Sequence, residues 1–487
     1  MSENKVIQSF IFKFIERVAA KALGLVISII LARLVAKELH GLQAILMVFI
    51  NLAQTFVQSG MSVALVQNKD TTKADYSTVL YLSLGVAVLM NILLFFGAPL
   101  LAQLYQNDAL ILPLRVLALS LFFGAFNSIQ TAKMQREMRF REMMRCNLIA
   151  VVLSGALGVI SACMGAGLWA LVIYQMSQVI IVSICMAVTD RWRPEWVFSG
   201  QRAGVLFSFG WKMLVSALLT SLYSELRTLI VGYKYSPEDL ADYNKGYQFP
   251  EVLANTMDLS IQSVMLPVMS RAQDQPERLN RMLFMTLAMS MYLVVPVMLG
   301  LAAVAETLIP MLLGPEWSTC VPLMCVFCFA DVMLPVQATN LSVLKAMGRS
   351  DIYVKTELVR RVIMIAVLLV TVVFFDSVLA IAIGFALNAW LDAYIVTVAA
   401  RKLTGVSWWQ QIRTLWKTLL SGAVMLALVW AMNHLPVLPV LRLLMQIASG
   451  AAVYVLLSVL MKNEAFFFVL GKVRGMLGRK GQGQKAG

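Results

Sequence analysis

The chain has 487 residues, of which 60% are hydrophobic and 14% are charged. This balance excludes a water-soluble fold, because soluble domains average about 25% charged residues. The net charge of +14 would suggest a nucleic-acid partner in a soluble protein. Basic residues that flank membrane spans produce the same excess, and no basic stretch carries interleaved aromatic residues that could stack on bases. We therefore expect an all-α integral membrane protein with no nucleic-acid partner.

Apolar runs of roughly 20 residues recur along the chain, the length that crosses about 30 Å of hydrocarbon as a helix. They predict about fourteen transmembrane helices, since a spanning helix satisfies its own backbone hydrogen bonds and no barrel-like alternation is present. In chain order, the predicted spans lie near 10–36, 42–66, 77–101, 110–132, 143–164, 167–189, 206–233, 247–270, 282–304, 317–345, 353–375, 378–399, 412–433 and 440–461. The first span contains Glu16, Arg17 and Lys21 and lacks a small-residue cleavage site, so we expect it to be retained.

The positions of Lys and Arg predict the orientation in the membrane. If the N-terminus is cytoplasmic, about 30 of the 40 lie in cytoplasmic segments and about five in external loops. The predicted external loops near 102–109, 165–167, 305–316 and 376–377 carry none. We expect a multi-pass protein of the bacterial inner membrane with both termini in the cytoplasm, and a basic tail that anchors to anionic headgroups.

Two segments of the chain resemble each other. Residues 30–46 (ILARLVAKELHGLQAIL) match the register of residues 229–245 (LIVGYKYSPEDLADYNK) at an offset near 200, and each leads to a similar polar break. With six predicted spans in each half, the pattern predicts two six-helix lobes in parallel orientation around an axis along the membrane normal. We place the first lobe at 1–200, the second at 201–404, two additional transmembrane helices at 405–462 and the basic cytoplasmic tail at 463–487.

Cations inside the predicted spans are the first candidates for function, because a charge at the bilayer centre costs about 2.5 kcal/mol or more. Four of them lie in the first helix of either lobe and would make a cavity between the lobes cationic, which suits an anionic group such as a pyrophosphate. These candidate substrate-binding residues are Arg17, Lys21, Lys212 and Arg227. Alternatively, Lys13 and Arg17 reach the cytoplasmic headgroups. Glu225 and Arg227 would then only neutralise each other within one turn.

Carboxylates inside the spans are the second group of candidates. They could line the cavity or couple transport to H⁺ or Na⁺, and the alternative is a structural hydrogen bond to a neighbouring helix. The candidates are Glu225, Asp258, Asp331 and Asp392. Asp331 lies four residues before Pro335 in a span that also contains Pro322, which predicts a broken helix at that point.

We find no pattern of residues that indicates an enzyme. The sequence has no HExxH, no Walker motif, no nucleophile elbow and no GxGxxG, so we expect no catalytic residue. Cys325 and Cys328 share one helical face, but the only histidines are His40 and His434 and no second cysteine pair completes a tetrahedral site. We therefore expect neither a metal nor a cofactor.

Five segments carry a family resemblance and stand in the order in which that family has them. They are residues 24–70, TAKMQREMRFREM (131–143), LPVMSRAQD (266–274), LLGPEWSTCVPLMCVFC (312–328) and LKAMGRSDIYVK (344–355). The chain resembles the polysaccharide transporter family of the multidrug, oligosaccharidyl-lipid and polysaccharide flippase superfamily, and within it the colanic-acid type of Wzx flippase. One departure is Ala36 with Lys37, where the family commonly has Thr-Pro or Ser-Pro. The second repeat retains Ser236 and Pro237.

The resemblance implies a V-shaped protein whose two lobes alternate between inward and outward openings. It implies a substrate consisting of an oligosaccharide repeat unit linked to undecaprenyl pyrophosphate, and membrane lipids as surroundings. A polymerase and glycosyltransferases of the same pathway are further possible partners. The rival functions are a multidrug cation antiporter of the same superfamily, which would prefer an acidic cavity, and a polysaccharide polymerase or ligase, which would need a large external loop carrying Arg or His.

Overall fold

The structure is a computed structural model that describes residues 21–58, 62, 65–66, 71–190, 192–270, 272 and 275–467. This part of the chain is almost entirely helical and contains no strand, which confirms the predicted all-α class. Arg17 and most of the predicted basic tail lie outside the described residues.

The helices follow one another through short turns. They are α1 (21–34), α2 (Lys37–Gln58), α3 (Lys73–Leu104), α4 (Ile111–Ala118), α5 (Ser120–Arg136), α6 (Phe140–Cys163), α7 (Leu168–Asp190), α8 (Gly200–Lys234), α9 (Pro237–Ser270), α10 (Pro276–Leu312), α11 (Val321–Asp331), α12 (Leu334–Ala346), α13 (Ser350–Phe374), α14 (Val378–Thr404), α15 (Trp408–Ala431) and α16 (Pro439–Leu460). Short 3₁₀ turns at Asp108–Leu110, Pro315–Cys320 and Met432–His434 join some of them.

Within the described residues, 11 helical segments are long and apolar enough to cross a membrane. They coincide with all the predicted spans except the first, the eighth and the eleventh. Those three fall on α1, α9 and α13, which are helices but do not belong to the 11. The chain is therefore a multi-pass membrane protein, while the total of about fourteen spans stays a prediction.

The helix order repeats itself, as the sequence predicts. The corresponding pairs are α1 with α8, α2 with α9, α3 with α10, α4 and α5 with α11 and α12, α6 with α13, and α7 with α14. At the first pair of turns, α2 begins at Lys37 and α9 begins at Pro237. At the turns before α6 and α13, Met138 and Gly348 both have positive φ, of 59° and 65°. The turns are therefore repeated together with the helices.

Both repeats break one of their helices in the middle. In the second repeat, α11 ends at Asp331 and α12 begins at Leu334, because Pro335 has no N–H to donate to the preceding turn. This confirms the break predicted from the proline. In the first repeat the corresponding break lies at Leu119, where no proline stands, and it was not predicted.

Contacts divide the chain into two units, Met1–Ala241 and Asp242–Gly487. Helix α8 belongs to the first unit, where it packs along α2. The predicted boundary between the lobes, at residue 200, lies before α8 and stays a prediction of where the repeats divide. The two C-terminal helices, α15 and α16, belong to the second unit.

Buried ion pairs tie the turn between α5 and α6 to the end of α7 in the first unit. The fully buried Asp190 carboxylate accepts from Lys133 Nζ at 2.9 Å and from Arg139 Nη1 at 2.6 Å. Arg139 also donates to the Thr189 carbonyl at 3.1 Å. Its hydrogen bond with Glu142 is the main cause that raises the pKa of Arg139 above its ordinary value. The turn is thus held by charge-assisted hydrogen bonds, which are the strong ones.

Buried hydrogen bonds attach the C-terminal helix pair to α10. Asn433 Oδ1 accepts from Gln446 Nε2 at 2.7 Å and from Thr307 Oγ1 at 3.1 Å. Tyr454 Oη donates to the Tyr292 carbonyl at 2.9 Å. These polar groups would be costly to expose to lipid, so the contacts specify how the pair docks.

We expect Gly422→Ala to weaken this docking. A Cβ at Gly422 of α15 would lie 2.4 Å from Val295 Cγ1 of α10, and a β-branched side chain cannot turn aside easily. Overpacking of this kind costs roughly 1–3 kcal/mol. The matched control is Gly300→Ala, whose Cβ would meet Met425 Cε at an ordinary 3.7 Å. The thermal unfolding midpoint of the purified protein should fall for the first variant only, and equal midpoints would contradict this account.

Candidate functional site

The first unit contains a polar cavity of about 640 Å³ beside α2 and α5. Six of the eight residues that line it have amide or hydroxyl side chains, and no lining residue carries a charge. The polar lining residues are Gln58, Ser62, Asn127, Ser128, Thr131 and Gln135. Such a wall offers both donors and acceptors, which suits a ligand rich in hydroxyl groups.

Neighbouring helices hold the cavity side chains of α5 in place. Asn127, Thr131 and Gln135 are spaced by four residues and therefore share one face of the helix. Asn127 donates to the Val179 carbonyl at 3.3 Å and accepts from Ser183 Oγ at 2.7 Å. Helix α7 thus fixes the central amide of the cavity.

A polar stripe along α2 leads from this cavity to a carboxylate of α8. Asn51 Nδ2 donates to Glu225 Oε1 at 3.0 Å, and Thr55 shares a 3.0 Å hydrogen bond with Ser221. Gln58 continues the same face of α2 into the cavity. Glu225 is therefore held by an amide of α2, whereas its neutralisation by Arg227 stays a prediction.

The four predicted cations are only partly described. Arg17 lies outside the described residues, and the side chain of Lys212 on α8 lies outside them too. Lys21 is exposed at the start of α1, and Arg227 is half-buried on α8, two residues after Glu225. Their role in a cationic cavity stays a prediction.

The second unit holds one predicted carboxylate in a chain of hydrogen bonds. Gln262 Nε2 donates to Asp258 Oδ2 at 2.8 Å, and Lys345 Nζ donates to Gln262 Oε1 at 3.2 Å. The amide thus links the carboxylate of α9 to the ammonium group of α12. Asp331 is buried at the end of α11, directly before the helix break.

Asp392, the remaining predicted carboxylate, is engaged by an arginine that the sequence did not single out. Arg360 Nη2 of α13 lies 3.2 Å from Asp392 Oδ2 of α14, and Arg360 Nη1 lies 2.5 Å from Glu357 Oε1. Arg361 also reaches Glu357, at 3.4 Å. Two cations and two carboxylates therefore balance inside the second unit, which supports a structural role for Asp392.

The sequence did contain signals for the residues that were missed. The spacing of Asn127, Thr131 and Gln135 by four residues marks a polar helix face within an apolar span. Arg360 and Glu357 were charges inside a predicted span. Charged groups dominated the prediction, so the uncharged wall was overlooked. Among the described residues no cluster of His, Cys, Asp and Glu could hold a metal ion.

The fold and the cavity define a multi-pass helical membrane protein with an uncharged polar binding space. A family model described as "Polysaccharide biosynthesis protein" matches residues 30–322, more than half of the chain. The chain belongs to this family, and the resemblance inferred from its motifs is confirmed.

Two relatives and one solved structure extend the comparison. The chain is 25% identical over 422 residues to the teichuronic acid biosynthesis protein TuaB of Bacillus subtilis, covering 84% of this chain and 85% of the relative. It is 23% identical over 420 residues to the lipopolysaccharide biosynthesis protein WzxC of Escherichia coli, covering 85% and 84%. The inward closed structure of the lipid II flippase MurJ has a TM-score of 0.76 at 13% identity and covers 94% of this chain and 100% of that chain. The chain therefore shares the fold of that solved structure.

We expect the substitution Arg360→Met to destabilise the protein. Arg360→Met leaves the buried Asp392 carboxylate without its cation, and breaking a buried pair in this way costs about 3–5 kcal/mol. The double variant Arg360→Met with Asp392→Leu should recover most of the loss, because neither charge then remains unbalanced.

The control is Arg349→Met. Arg349 pairs with Asp351 at 2.8 Å, but both side chains are about half exposed, and an exposed pair contributes about 0–1 kcal/mol. Folded protein in detergent should be measured by fluorescence-detected size exclusion after heating. If Arg360→Met were as stable as Arg349→Met, the structural role of the pair would be wrong.

Proposed function

We propose that this chain is a flippase that moves oligosaccharide repeat units, linked to undecaprenyl pyrophosphate, across the bacterial inner membrane for surface polysaccharide biosynthesis. It would work by alternating access, with both termini in the cytoplasm. The observation that carries the proposal is the uncharged cavity of about 640 Å³, lined mainly by residues with amide or hydroxyl side chains, in a member of a polysaccharide biosynthesis family. The similarity to TuaB, a teichuronic acid biosynthesis protein, and to WzxC, a lipopolysaccharide biosynthesis protein, supports the substrate class.

The physical task is to shelter a sugar and a pyrophosphate from hydrocarbon while the polyprenyl tail stays in lipid. An uncharged amide and hydroxyl wall suits the sugar, because each hydrogen bond it makes replaces one to water and is worth only about 1 kcal/mol. Modest bonds of this kind let the ligand bind and also leave. The pyrophosphate needs cations, and for this role we propose Arg17, Lys21, Lys212 and Arg227.

Among the carboxylates, Asp258 is better suited than Asp392 to couple transport to H⁺ or Na⁺. Asp392 is balanced by Arg360, whereas Asp258 connects through the amide of Gln262 to Lys345. A change of charge at Asp258 could therefore be transmitted from α9 to α12. Glu225 and Asp331 remain further candidates for this role.

The rival functions receive less support. A multidrug cation antiporter would prefer an acidic cavity, and no carboxylate lines the cavity of the first unit. A polymerase or ligase would need a set of catalytic residues, and the sequence has no motif for one. A drug-efflux assay without phenotype, alongside lost polysaccharide, would separate the first rival from the proposal. Product formation by the purified protein without translocation would favour the second.

We expect Arg17→Ala, Lys21→Ala and Arg227→Ala each to reduce surface polysaccharide at normal membrane levels, because the pyrophosphate loses a charged partner. Lys355→Ala, which removes an exposed cation of α13, is the matched control and should leave the amount unchanged. Polysaccharide is quantified from whole cells of a deletion strain that carries each variant. Unchanged polymer in all three variants would remove the cationic role.

The uncharged cavity has its own test. Gln58→Leu and Thr131→Val remove a hydrogen-bonding group each and should slow translocation of a lipid-linked oligosaccharide in proteoliposomes about fivefold, the equivalent of one hydrogen bond. Gln103→Leu changes an exposed glutamine outside the cavity and serves as control. If Gln58→Leu and Thr131→Val translocated the substrate as fast as Gln103→Leu, this cavity would not hold the sugar.

A further inference from the structure

A second, smaller cavity of about 360 Å³ lies in a corner of the first unit. Three helix termini meet there: the end of α3, the end of α8 and the first turns of α2. Its volume falls within the roughly 300–1,000 Å³ of small-molecule sites. Because helices end at this level, we expect the corner to lie at a membrane surface, on the side that the charge distribution predicts to be external.

Three of the nine residues that line this corner cavity are tyrosines. They are Tyr105, Tyr233 and Tyr235, above a floor that includes Leu42 and Ile45. Tyr105 Oη donates to the Leu229 carbonyl at 3.4 Å, and Lys234 Nζ lies 5.3 Å from the centre of the Tyr235 ring. Tyr233 is 65% exposed. Two of the rings thus have contacts that orient them, and the third is open to a ligand.

Gln106 completes the wall in a backbone conformation that glutamine rarely adopts. Its φ is +50°, in the left-handed region that favours glycine. The corresponding place in the second repeat, two residues after the end of α10, is held by Gly314, with φ of +117°. The first repeat therefore carries a glutamine in the left-handed region where the second repeat carries glycine, so this amide side chain distinguishes the corner from its counterpart.

The second repeat does not reproduce the chemistry of this corner. At the offset of 200 residues, the floor positions Leu42 and Ile45 correspond to Asp242 and Lys245. Lys245 is buried there, with its Nζ 5.9 Å from the centre of the fully buried Trp317 ring. An aromatic corner with an uncharged lining is therefore not a consequence of the repeated fold.

We propose that the corner cavity binds one neutral sugar ring. A pyranose has apolar C–H faces, which stack on aromatic rings, and a rim of hydroxyls, which an amide can both donate to and accept from. No formally charged residue lines the cavity, so an anionic or cationic ligand has no partner in it. The identity of the ligand rests on the proposed function. The corner would be a contact for the glycan at the membrane face opposite the cytoplasm, separate from the larger cavity.

The test measures sugar binding to the full chain in lipid nanodiscs by saturation-transfer NMR. The probes are the methyl glycosides of glucose, galactose and N-acetylglucosamine, which carry neither lipid nor phosphate. We expect transfer to the ring protons of at least one probe. Tyr233→Ala should weaken binding about tenfold through the loss of a stacking surface. Tyr233→Phe should keep most of it.

Two further variants make the result independent of misfolding. Gln106→Gly removes the amide but relieves the positive φ, so it should weaken binding while the thermal unfolding midpoint stays or rises. Tyr394→Ala removes a tyrosine on α14, 49% exposed and outside the corner, and should change nothing.

Absence of transfer to every probe in the unmodified protein overturns the inference, as does equal binding by the unmodified protein, Tyr233→Ala and Gln106→Gly. Surface polysaccharide in cells is measured alongside. A normal amount of surface polysaccharide without binding of any probe would contradict the corner site but not the proposed function. If the chain bound a probe through Tyr233 but its cells made no surface polysaccharide, the proposed function would be contradicted instead.

Discussion

A polar group inside the bilayer has to find its partner within the protein, and the rest of this structure depends on that constraint. The backbone meets it by forming helices almost everywhere in the described residues. Side chains meet it by pairing across helices, as Asn340 and Gln411 do at 2.9 Å between α12 and α15. Apolar surface can face lipid at no cost, so the polar contacts decide which helix faces meet.

Charged groups inside the described helices pair with one another across helices, as with Asp190 between Lys133 and Arg139 or Asp392 beside Arg360. Uncharged amides and hydroxyls also pair across helices, and they are among the groups that line the two cavities of the first unit. Amides and hydroxyls exchange hydrogen-bond partners easily, because each bond is worth only about 1 kcal/mol net. Such a lining suits a ligand that must bind and leave.

The repeat shows where the two halves have diverged. Their helices and turns correspond closely, and each half breaks the same helix. Proline explains the break at Asp331, while the break at Leu119 has no comparable local cause. The corner near Tyr105 differs between the halves, because leucine, isoleucine and glutamine stand where the other half has aspartate, lysine and glycine. Shared architecture with different side chains is what allows one half to acquire a site that the other lacks.

The sequence by itself determined the class of protein, the repeat, most spans, the family and the break near Pro335, because hydropathy and proline act locally. It could not determine the partners of the intramembrane charges. Arg360 and Asp392 are distant in sequence, and only the packing of α13 on α14 brings them together. The two cavities were likewise decided by tertiary structure, since a polar helix face such as that of Asn127, Thr131 and Gln135 does not show which helices enclose it. A site becomes visible only when helices place its uncharged groups around one space.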